Sequence, residues 1–296
     1  MSWTECHDNF LRENVGKLTY KEIAIELKKG KRTISSRVKQ LGLTGINLQS
    51  STLFEKIYSV NDSFFDEINI VNSYYAGLIA ADGHVKGNAI SLTQSKPRLY
   101  AIERFVRLVD FSGKIYKAKH KKGYDSFSIT ITSERWKNAL KDNFNIVPKK
   151  SLILKHPNLE KIEHQLSFIT GLIDGDGTVN FYKGKTNRKV AIISLCGTYD
   201  ITEWIFNFWK SYCSSTGKRI SSGPRKLTNN NTWEVRISGF RSIKFYQLIK
   251  DISIPKMESK WDIFYNEMEG EGESYYLKDF SKDQKRGRDG RFYKTC

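Results

Sequence analysis

Two similar apolar stretches each end on one acid followed by glycine. "YYAGLIAADGHV" at 74–85 ends its apolar run on Asp82, and "FITGLIDGDGTV" at 168–179 ends its run on Asp176. A helix C-terminus already carries partial negative charge, and two carboxylates brought together there repel strongly unless a cation lies between them. Carboxylate oxygens suit a hard divalent ion, so the pattern predicts a Mg²⁺ site, which Mn²⁺ or Ca²⁺ can also occupy. Phosphodiester hydrolysis is chemistry that such ions perform.

Small residues lie four positions apart in both stretches, at Gly77 and Ala81 and at Gly171 and Gly175. The side chains at a contact set how closely two helices approach, and small ones allow the backbones to come near each other. We therefore expect the two helices to pack side by side in the same direction, which brings both acids together. The alternative is a helix pair whose exposed acids hold no metal.

The elements around these stretches also occur twice between residues 71 and 265, and the two acids are 94 positions apart. Each copy predicts a helix, two strands, a helix, two strands and a helix. The strands at 126–132 and 233–238 alternate apolar and polar residues, so each sheet has one face for a core and one polar, basic face. The predicted class is α+β, with tandem pseudo-twofold αββαββα units and saddle-like antiparallel sheets. The polar faces suit a nucleic acid, or are simply solvated.

Residues 1–43 predict a small all-α module in front of these units. Thr19 and Glu22 form a capping-box pattern, and a basic third helix follows a short turn. Helix, turn and basic helix are typical of a helix-turn-helix that binds DNA, although some modules of this size bind protein. The candidate DNA-contacting residues of the third helix are Lys31, Arg32 and Arg37.

The predicted organisation has five parts. They are the helix-turn-helix module 1–43, a linker 44–70, a first unit 71–163, a second unit 164–268 and a basic C-terminal tail 269–296. The tail is interpreted either as a disordered segment or as an arm that lies along DNA.

The charge balance points to a polyanionic partner. Lys and Arg number 49 against 32 Asp and Glu, which gives a net charge of +17 and a pI near 9.5. Such an excess favours phosphate binding, because each neutralised phosphate releases counterions. A solvated basic surface is the alternative.

The cysteines and the hydropathy bound the location of the chain. The four cysteines lack the spacing of a zinc site, which indicates a reducing, intracellular compartment. No stretch approaches the roughly 20 apolar residues of a membrane helix, and "MSWTECHDNF" lacks the features of a secretory signal. We expect a cytoplasmic protein, encoded by a bacterium or phage, with an organelle as the alternative.

The two motifs resemble the signature of a known family. "YAGLIAADG" and "ITGLIDGDG" resemble the LAGLIDADG motif of the homing endonucleases, and the two copies resemble their single-chain form. Residues 1–43 separately resemble helix-turn-helix modules attached to such enzymes. The resemblance implies an intron-homing enzyme, monomeric and without an obligate protein partner. Such an enzyme cleaves both strands of double-stranded DNA with Mg²⁺ and leaves short 3′ overhangs.

The resemblance also assigns roles to residues. Asp82 and Asp176 match the metal-binding acids, and Gln94 matches a polar residue that organises metal-bound water. Gln94 has Gly197 as its counterpart in the second unit, which suggests two unequal active centres. Asp174, where the first unit has alanine, is interpreted as structural.

Two lysines match the region of a basic residue near the scissile phosphate. They are Lys149 of "VPKK" and Lys256 of "IPKM", with Lys150 as a close competitor in an uncertain register. The alternative is that both are ordinary surface lysines.

The outward strand positions are the candidates for contact with DNA, since hydroxyl, amide and guanidinium groups can address base edges. They differ between the units, so we expect a long target that is not a palindrome. The first-unit candidates are Lys86, Ser91, Thr93, Lys114, Tyr116, Ser128 and Thr130. The second-unit candidates are Asn180, Tyr182, Ser194, Arg225, Glu234 and Arg236.

The alternative function is a nucleic-acid-binding protein of the same fold that does not cleave, such as an intron maturase or a transcription regulator. The retained pair of acids favours the nuclease. An intein is disfavoured, because residue 1 is neither cysteine nor serine and no terminal His-Asn pair is present. A zinc-dependent nuclease is disfavoured by the absent ligand cluster.

Overall fold

The computed structural model describes most of the chain and places it in two units, residues 1–58 and residues 59–296. The described residues are 3–43, 58–119, 123–183, 189–214, 223–227 and 231–271, with two short strands at 284–286 and 292–294.

Residues 3–43 of the N-terminal unit contain three helices around a small core. They are α1 Glu5–Asn14, α2 Tyr20–Glu26 and α3 Lys31–Gln40. The core consists of Leu11, Val15, Ile23, Ile34 and Val38. The capping box predicted at Thr19 and Glu22 is confirmed, because each side chain binds the backbone N–H of the other residue. The three helices lie within the predicted module 1–43, and its helix-turn-helix function remains a prediction.

The second unit repeats one order of elements, which confirms the predicted α+β class. Its helices are α4 Ile70–Asp82, α5 Leu99–Leu108, α6 Glu134–Phe144, α7 Ile162–Asp176, α8 Tyr199–Tyr212, α9 Phe240–Asp251 and α10 Glu258–Glu271. Its strands are β1 Gly83–Lys86, β2 Ala89–Ser95, β3 Tyr116–Lys119, β4 Asp125–Thr132, β5 Thr178–Lys183, β6 Lys189–Gly197, β7 Arg225–Lys226 and β8 Trp233–Ser238. A further strand pair, β9 Gln284–Arg286 and β10 Phe292–Lys294, lies in the tail.

The two four-stranded sheets have the same topology. Their strand orders are β1-β2-β4-β3 and β5-β6-β8-β7, with every neighbouring pair antiparallel. The alternating strands bury one side as predicted: Ile129 and Ile131 of β4, and Val235 and Ile237 of β8, are almost fully buried. The opposite residues of these strands face away from that core.

Helices α4 and α7 lie at the centre of the second unit and make the most extensive contact between any two described elements. Every residue from 72 to 80 and from 166 to 174 is buried. A helix that is apolar around its whole circumference is one that the protein encloses on all sides. The apolar stretches therefore form this central pair. None of the described helices is long and apolar enough to cross a membrane.

The residues just before α4 belong to the core of the second unit. Phe65 is fully buried, and its ring packs edge-on against that of Trp136 at 5.0 Å between centroids. The sequence places residue 65 in the predicted linker 44–70, so this half of the linker docks on the unit that follows. Residues 44–57 of that linker, and most of the predicted tail arm, lie outside the described residues.

Candidate active site

Two glycines set the distance between α4 and α7. A Cβ placed on Gly77 would lie 2.1 Å from the carbonyl oxygen of Phe168, and one on Gly171 would lie 2.1 Å from that of Tyr74. Both obstacles are backbone atoms, which cannot rotate away as a side chain can. The two contacts are reciprocal, so they express the pseudo-twofold relation between the motifs. Only glycine fits at either position.

The same contact continues to the C-terminal ends of both helices. A Cβ on Gly175 would lie 2.3 Å from Cβ of Ala81 and 3.3 Å from Oδ2 of Asp82. The Asp82 carboxylate therefore lies against the last turn of α7, which ends at Asp176. The four predicted interface residues, Gly77, Ala81, Gly171 and Gly175, all lie at this contact.

The electrostatics confirm that the two acids are neighbours. The pKa of the Asp176 carboxyl is raised, first because partial burial disfavours its charged form and second because Asp82 repels it. In the described part of the chain, neither carboxylate forms an ion pair with a lysine or arginine. The pair is therefore left without a direct counter-charge.

Gln94 lies beside the first acid. Its side chain is buried at the end of β2, and Nε2 donates a hydrogen bond of 2.6 Å to Oδ2 of Asp82. The strand register makes Gly197 its counterpart, since Gln94 lies opposite Phe127 and Gly197 lies opposite Trp233. The second acid consequently has no equivalent amide.

A cavity of about 270 Å³ lies beside Asp176 and Gly197, where the first centre has the Gln94 amide. Its lining includes Lys150, Asp176, Gly197 and Thr232. A Cβ on Gly197 would have no neighbour closer than 3.7 Å, so the position has room for a side chain. The two centres are therefore unequal in structure.

Each helix C-terminus holds one lysine ammonium group. Nζ of Lys150 donates to the carbonyl of Ala81 at 3.1 Å, and Nζ of Lys260 donates to the carbonyls of Ile173 at 2.5 Å and Asp174 at 2.9 Å. The last carbonyls of a helix lack intrahelical partners and attract cations. Burial is the main cause that lowers both pKa values, that of Lys260 to about 8. Both ammonium groups therefore lie next to the paired acids.

The lysines and acids interact across the two halves. Asp176 attracts the Lys150 ammonium more strongly than Asp82 does. Lys260 is attracted most by Asp174, then by Asp82 and least by Asp176. Each lysine is thus attracted more by the helix-end carboxylate of the other half of the repeat than by that of its own half.

Neither of the two lysines chosen from the sequence lies at these helix ends. Lys149 is exposed, with a left-handed backbone at φ 60°, while the adjacent Lys150 is buried. Lys256 contributes its backbone carbonyl, which accepts a hydrogen bond of 2.9 Å from Nη2 of Arg104. The structure brings Lys150 and Lys260 to the acids instead, and sequence reasoning missed Lys260. A search for any lysine near the start of α10 would have found it.

The donor chemistry fits a divalent metal, with part of the ligand set supplied from outside the chain. Oxygen ligands from Asp82 and Asp176 suit Mg²⁺, which normally keeps several waters and binds substrate phosphates. No group of three or more His, Cys, Asp or Glu residues able to hold a metal occurs among the described residues. Water and a phosphate would therefore complete the coordination.

Asp174 is fully buried, two residues before the acid that ends α7. It accepts hydrogen bonds from Tyr74 Oη at 2.8 Å, Met257 N at 2.6 Å and Trp261 Nε1 at 2.6 Å. Burial raises the pKa of its carboxyl to about 6 against these three donors, which act to lower it. This placement agrees with a structural interpretation of the residue.

The outward positions of the first sheet form a polar surface. Ser91 and Thr130 lie opposite each other and share a hydrogen bond of 2.9 Å. Thr93 and Ser128 form the next cross-strand pair, and Ser128 also lies opposite the exposed Tyr116. The exposed residues Lys86 on β1 and Lys114 just before β3 complete the predicted set.

The second sheet presents more charge on the corresponding face. Arg236 lies opposite Ser194, in the register that Thr130 occupies in the first sheet. Arg225 forms a 2.7 Å ion pair with Glu234. The other predicted residues, Asn180 and Tyr182, are exposed on β5. Cys196, which was not predicted, is exposed opposite Glu234 on this face.

The three basic residues predicted in the N-terminal module have different environments. Arg37 forms a two-point ion pair with Asp8 that joins α3 to α1, at 2.8 Å and 2.5 Å. Lys31 and Arg32 are exposed in the first turn of α3. Arg37 therefore has a partner within the module, whereas the other two face solvent.

Comparison with known proteins gives one family match. Residues 69–145, about a quarter of the chain, match the model of the LAGLIDADG-like domain. This range runs from the N-cap of α4 to the residue after α6. No curated protein matches the chain significantly.

Solved structures similar to the chain include three DNA complexes. I-SmaMI, bound to an uncleaved DNA target with calcium ions, is 12% identical with a TM-score of 0.43, over 73% of this chain and 96% of that one. The LAGLIDADG meganuclease I-AabMI, bound to uncleaved DNA, is 13% identical with a TM-score of 0.45, over 71% and 94%. The LAGLIDADG homing endonuclease I-GzeII, in complex with its DNA target, is 11% identical with a TM-score of 0.43, over 75% and 100%.

Proposed function

We propose that this chain is a site-specific DNA endonuclease of the LAGLIDADG homing type. It hydrolyses both strands of a long, non-palindromic duplex with Mg²⁺, leaves short 3′ overhangs and acts as a monomer. The observation that carries the proposal is the convergence of Asp82 and Asp176 at the ends of two paired helices, where neither carboxylate forms an ion pair with a described lysine or arginine. The match of residues 69–145 to the LAGLIDADG-like domain supports it.

The proposed chemistry assigns a role to each group at the helix ends. A bound divalent ion supplies charge neutralisation and activation of water when it is present. Asp82 and Asp176 hold it, and the Gln94 amide fixes the orientation of the Asp82 carboxylate. The ammonium groups of Lys150 and Lys260 stabilise the negative charge that develops on the phosphate. The cost of placing two acids at helix C-termini is offset only when cation and phosphate are bound.

The outward sheet faces supply the proposed sequence recognition. Ser91 and Thr130 of the first sheet hold the register positions that Ser194 and Arg236 hold in the second sheet. Arginine binds guanine in the major groove, whereas a hydroxyl group can bond to a donor or to an acceptor on a base edge. The halves therefore favour different base sequences, in agreement with a target that is not a palindrome. The net charge of +17 supplies the affinity for phosphates.

Selection of cleaved sequences from a randomised duplex library tests the proposal. The full chain should cut both strands of the selected DNA with Mg²⁺ and stop cutting when EDTA removes the metal. The Asp82→Asn variant should bind the same DNA with Ca²⁺ but lose at least one strand cut with Mg²⁺. Asp142→Asn changes an exposed acid on α6 and is the matched control, which should cut like the wild type.

Two results would contradict this function. Complete double-strand cutting by Asp82→Asn would remove the acid from the chemistry. Specific binding by the wild type without a cut in either strand would assign the chain to the non-cleaving alternative, a maturase or a transcription regulator.

A further inference from the structure

The second motif carries a buried acid that the first motif lacks. Asp174 is fully buried, and the equivalent residue of the first motif is Ala80, which is also buried. Burying a carboxylate is costly unless hydrogen bonds replace its water. Nothing in the pairing of α4 with α7 requires this cost, because the first motif packs in the same way with a methyl group.

The hydrogen bonds of Asp174 connect it to the start of α10. Its Oδ2 accepts from the backbone N–H of Met257, and its Oδ1 accepts from the indole of Trp261, both at 2.6 Å. These two donors flank Lys260, which lies between them in sequence. A third bond comes from Tyr74 on the facing helix. The carboxylate thus fixes both ends of a five-residue segment, Met257–Trp261.

Lys260 is the member of this segment that reaches the active site. Its ammonium donates to the carbonyls of Ile173 and of Asp174 itself. The side chain of Asp174 therefore holds the segment, while its backbone receives the lysine. We propose that Asp174 is a positioning residue that holds Lys260 at the paired acids, an inference that rests on the function proposed above.

The lysine of the first half has a separate support. Lys150 begins a short 3₁₀ turn, Lys150–Leu152, and its ammonium donates to Ala81. The hydroxyl of Thr198 donates a hydrogen bond to the carbonyl of Leu154, two residues after this turn. This bond anchors the chain that follows the turn. Asp174 takes part in none of these bonds. Loss of the Asp174 carboxylate should therefore disturb one centre and spare the other.

The test measures the two strand cuts separately. A selected target carries a different dye on each strand, and rate constants are taken under single-turnover conditions with the full chain. Lys260→Met and Lys150→Met identify the strand that depends on each lysine. Asp174→Asn should slow the Lys260-dependent strand by about ten- to a hundred-fold, since small misplacements of a catalytic group have effects of that size. The other strand should stay within about two-fold.

Three further variants distinguish positioning from simple support of the fold. Trp261→Phe removes one donor and keeps the buried carboxylate, so it should slow the same strand. The double variant Asp174→Asn, Lys260→Met should be no slower than Lys260→Met alone, because both changes act through one ammonium group. Ile249→Val removes a core methylene group from the same half and should show no strand preference.

The outcomes separate this inference from the proposed function. Equal slowing of both strands by Asp174→Asn, or a further loss in the double variant, would overturn the positioning role alone. A wild-type chain that cuts neither strand would overturn the nuclease. A crystal structure of Asp174→Asn gives a readout independent of cutting: Nζ of Lys260 should leave the carbonyls of Ile173 and residue 174, and its persistence there would refute the inference.

Discussion

The glycine contacts between α4 and α7 make a quantitative prediction about stability. At an exposed helix position, a change from glycine to alanine stabilises the helix by about 1 kcal/mol, because alanine has the higher helix propensity. Gly171 is buried. Here the added Cβ would lie 2.1 Å from the carbonyl oxygen of Tyr74 and 2.7 Å from the amide nitrogen of Leu78. The substitution should therefore destabilise the protein.

The size of the effect follows from what must move. Non-bonded heavy atoms pack at about 3.5–4.0 Å, so the new Cβ and the Tyr74 oxygen have to move apart by roughly 1.5 Å. Overpacking of a core costs about 1–3 kcal/mol, and this case belongs at the upper end because backbone atoms are the obstacle. The gain in helix propensity offsets part of this cost, so the free energy of unfolding should fall by about 2 kcal/mol. This loss corresponds to a melting temperature lower by roughly 4–8 °C for a unit of this size.

Urea unfolding of the full chain, followed by circular dichroism, measures this loss. Gly77→Ala should behave alike, since its Cβ meets the carbonyl of Phe168 at the same 2.1 Å. Gly197→Ala is the matched control: its Cβ has no neighbour within 3.7 Å, and its midpoint should hardly change. A Gly171→Ala midpoint equal to or above that of the wild type would refute the close backbone contact.

Three other predictions follow from the site and from the N-terminal module. Gly197→Gln should place an amide in the cavity beside Asp176 and speed the slower strand cut, measured with strand-specific labels; an unchanged rate ratio would contradict this. For Asp174, the folded pKa of about 6 exceeds the ordinary value of 3.8, so the folded state binds more protons between these pH values and its stability falls as pH rises through them. The stability advantage of the wild type over Asp174→Asn should thus shrink by on the order of 3 kcal/mol between pH 4 and 7 in urea titrations, and a constant difference would refute the shift. In DNA-binding titrations against salt, Lys31→Ala should reduce the slope by about 1. Arg37→Ala should destabilise the module and leave the slope of the remaining folded protein unchanged; an equal loss of slope would show that Arg37 contacts phosphate.

The repeated architecture could be predicted because its signals are local. The motif helices, the alternating strands and the capping box of α2 each depend on residues within a few positions of one another. The spacing of the two acids then aligned the two units without any knowledge of the fold. The same spacing predicted the close pairing of α4 and α7, since the small residues recur at the same places in both motifs.

The lysines could not be predicted in the same way. Alignment on Pro148 and Pro255 places Lys149 opposite Lys256, yet the buried ammonium groups belong to Lys150 and Lys260. A left-handed residue at Lys149 decides which of two adjacent side chains turns inward in the first half. In the second half, the lysine at the helix end is Lys260, which lies four positions after Lys256 in the first turn of α10. A residue pattern can nominate lysines near these turns, but it cannot choose among them, because the choice depends on how each turn meets a distant helix end.

Charge alone also gave an incomplete account of the third helix of the N-terminal module. Arg37 is an arginine on the same helix as the exposed Arg32, but Asp8, on another helix, pairs with it. A bidentate arginine–carboxylate pair occupies the donors that would otherwise reach a phosphate. Which arginine forms this pair depends on the packing of α1 against α3, which only the folded module defines.

The two halves of the second unit combine a symmetric frame with unequal centres, and the physical constraints on each explain why. The helix pair has to satisfy the same backbone contact twice, so Gly77 and Gly171 each lie against a carbonyl oxygen of the facing helix at the same distance. The groups around the acids face no such requirement, because in the proposed function each strand of a duplex meets only one set of them. Gln94 and the cavity at Gly197, like Ala80 and the buried Asp174, can therefore differ without disturbing the frame. In this chain the stability of the frame and the rate of each proposed cut depend on different residues, so they should respond to substitution independently.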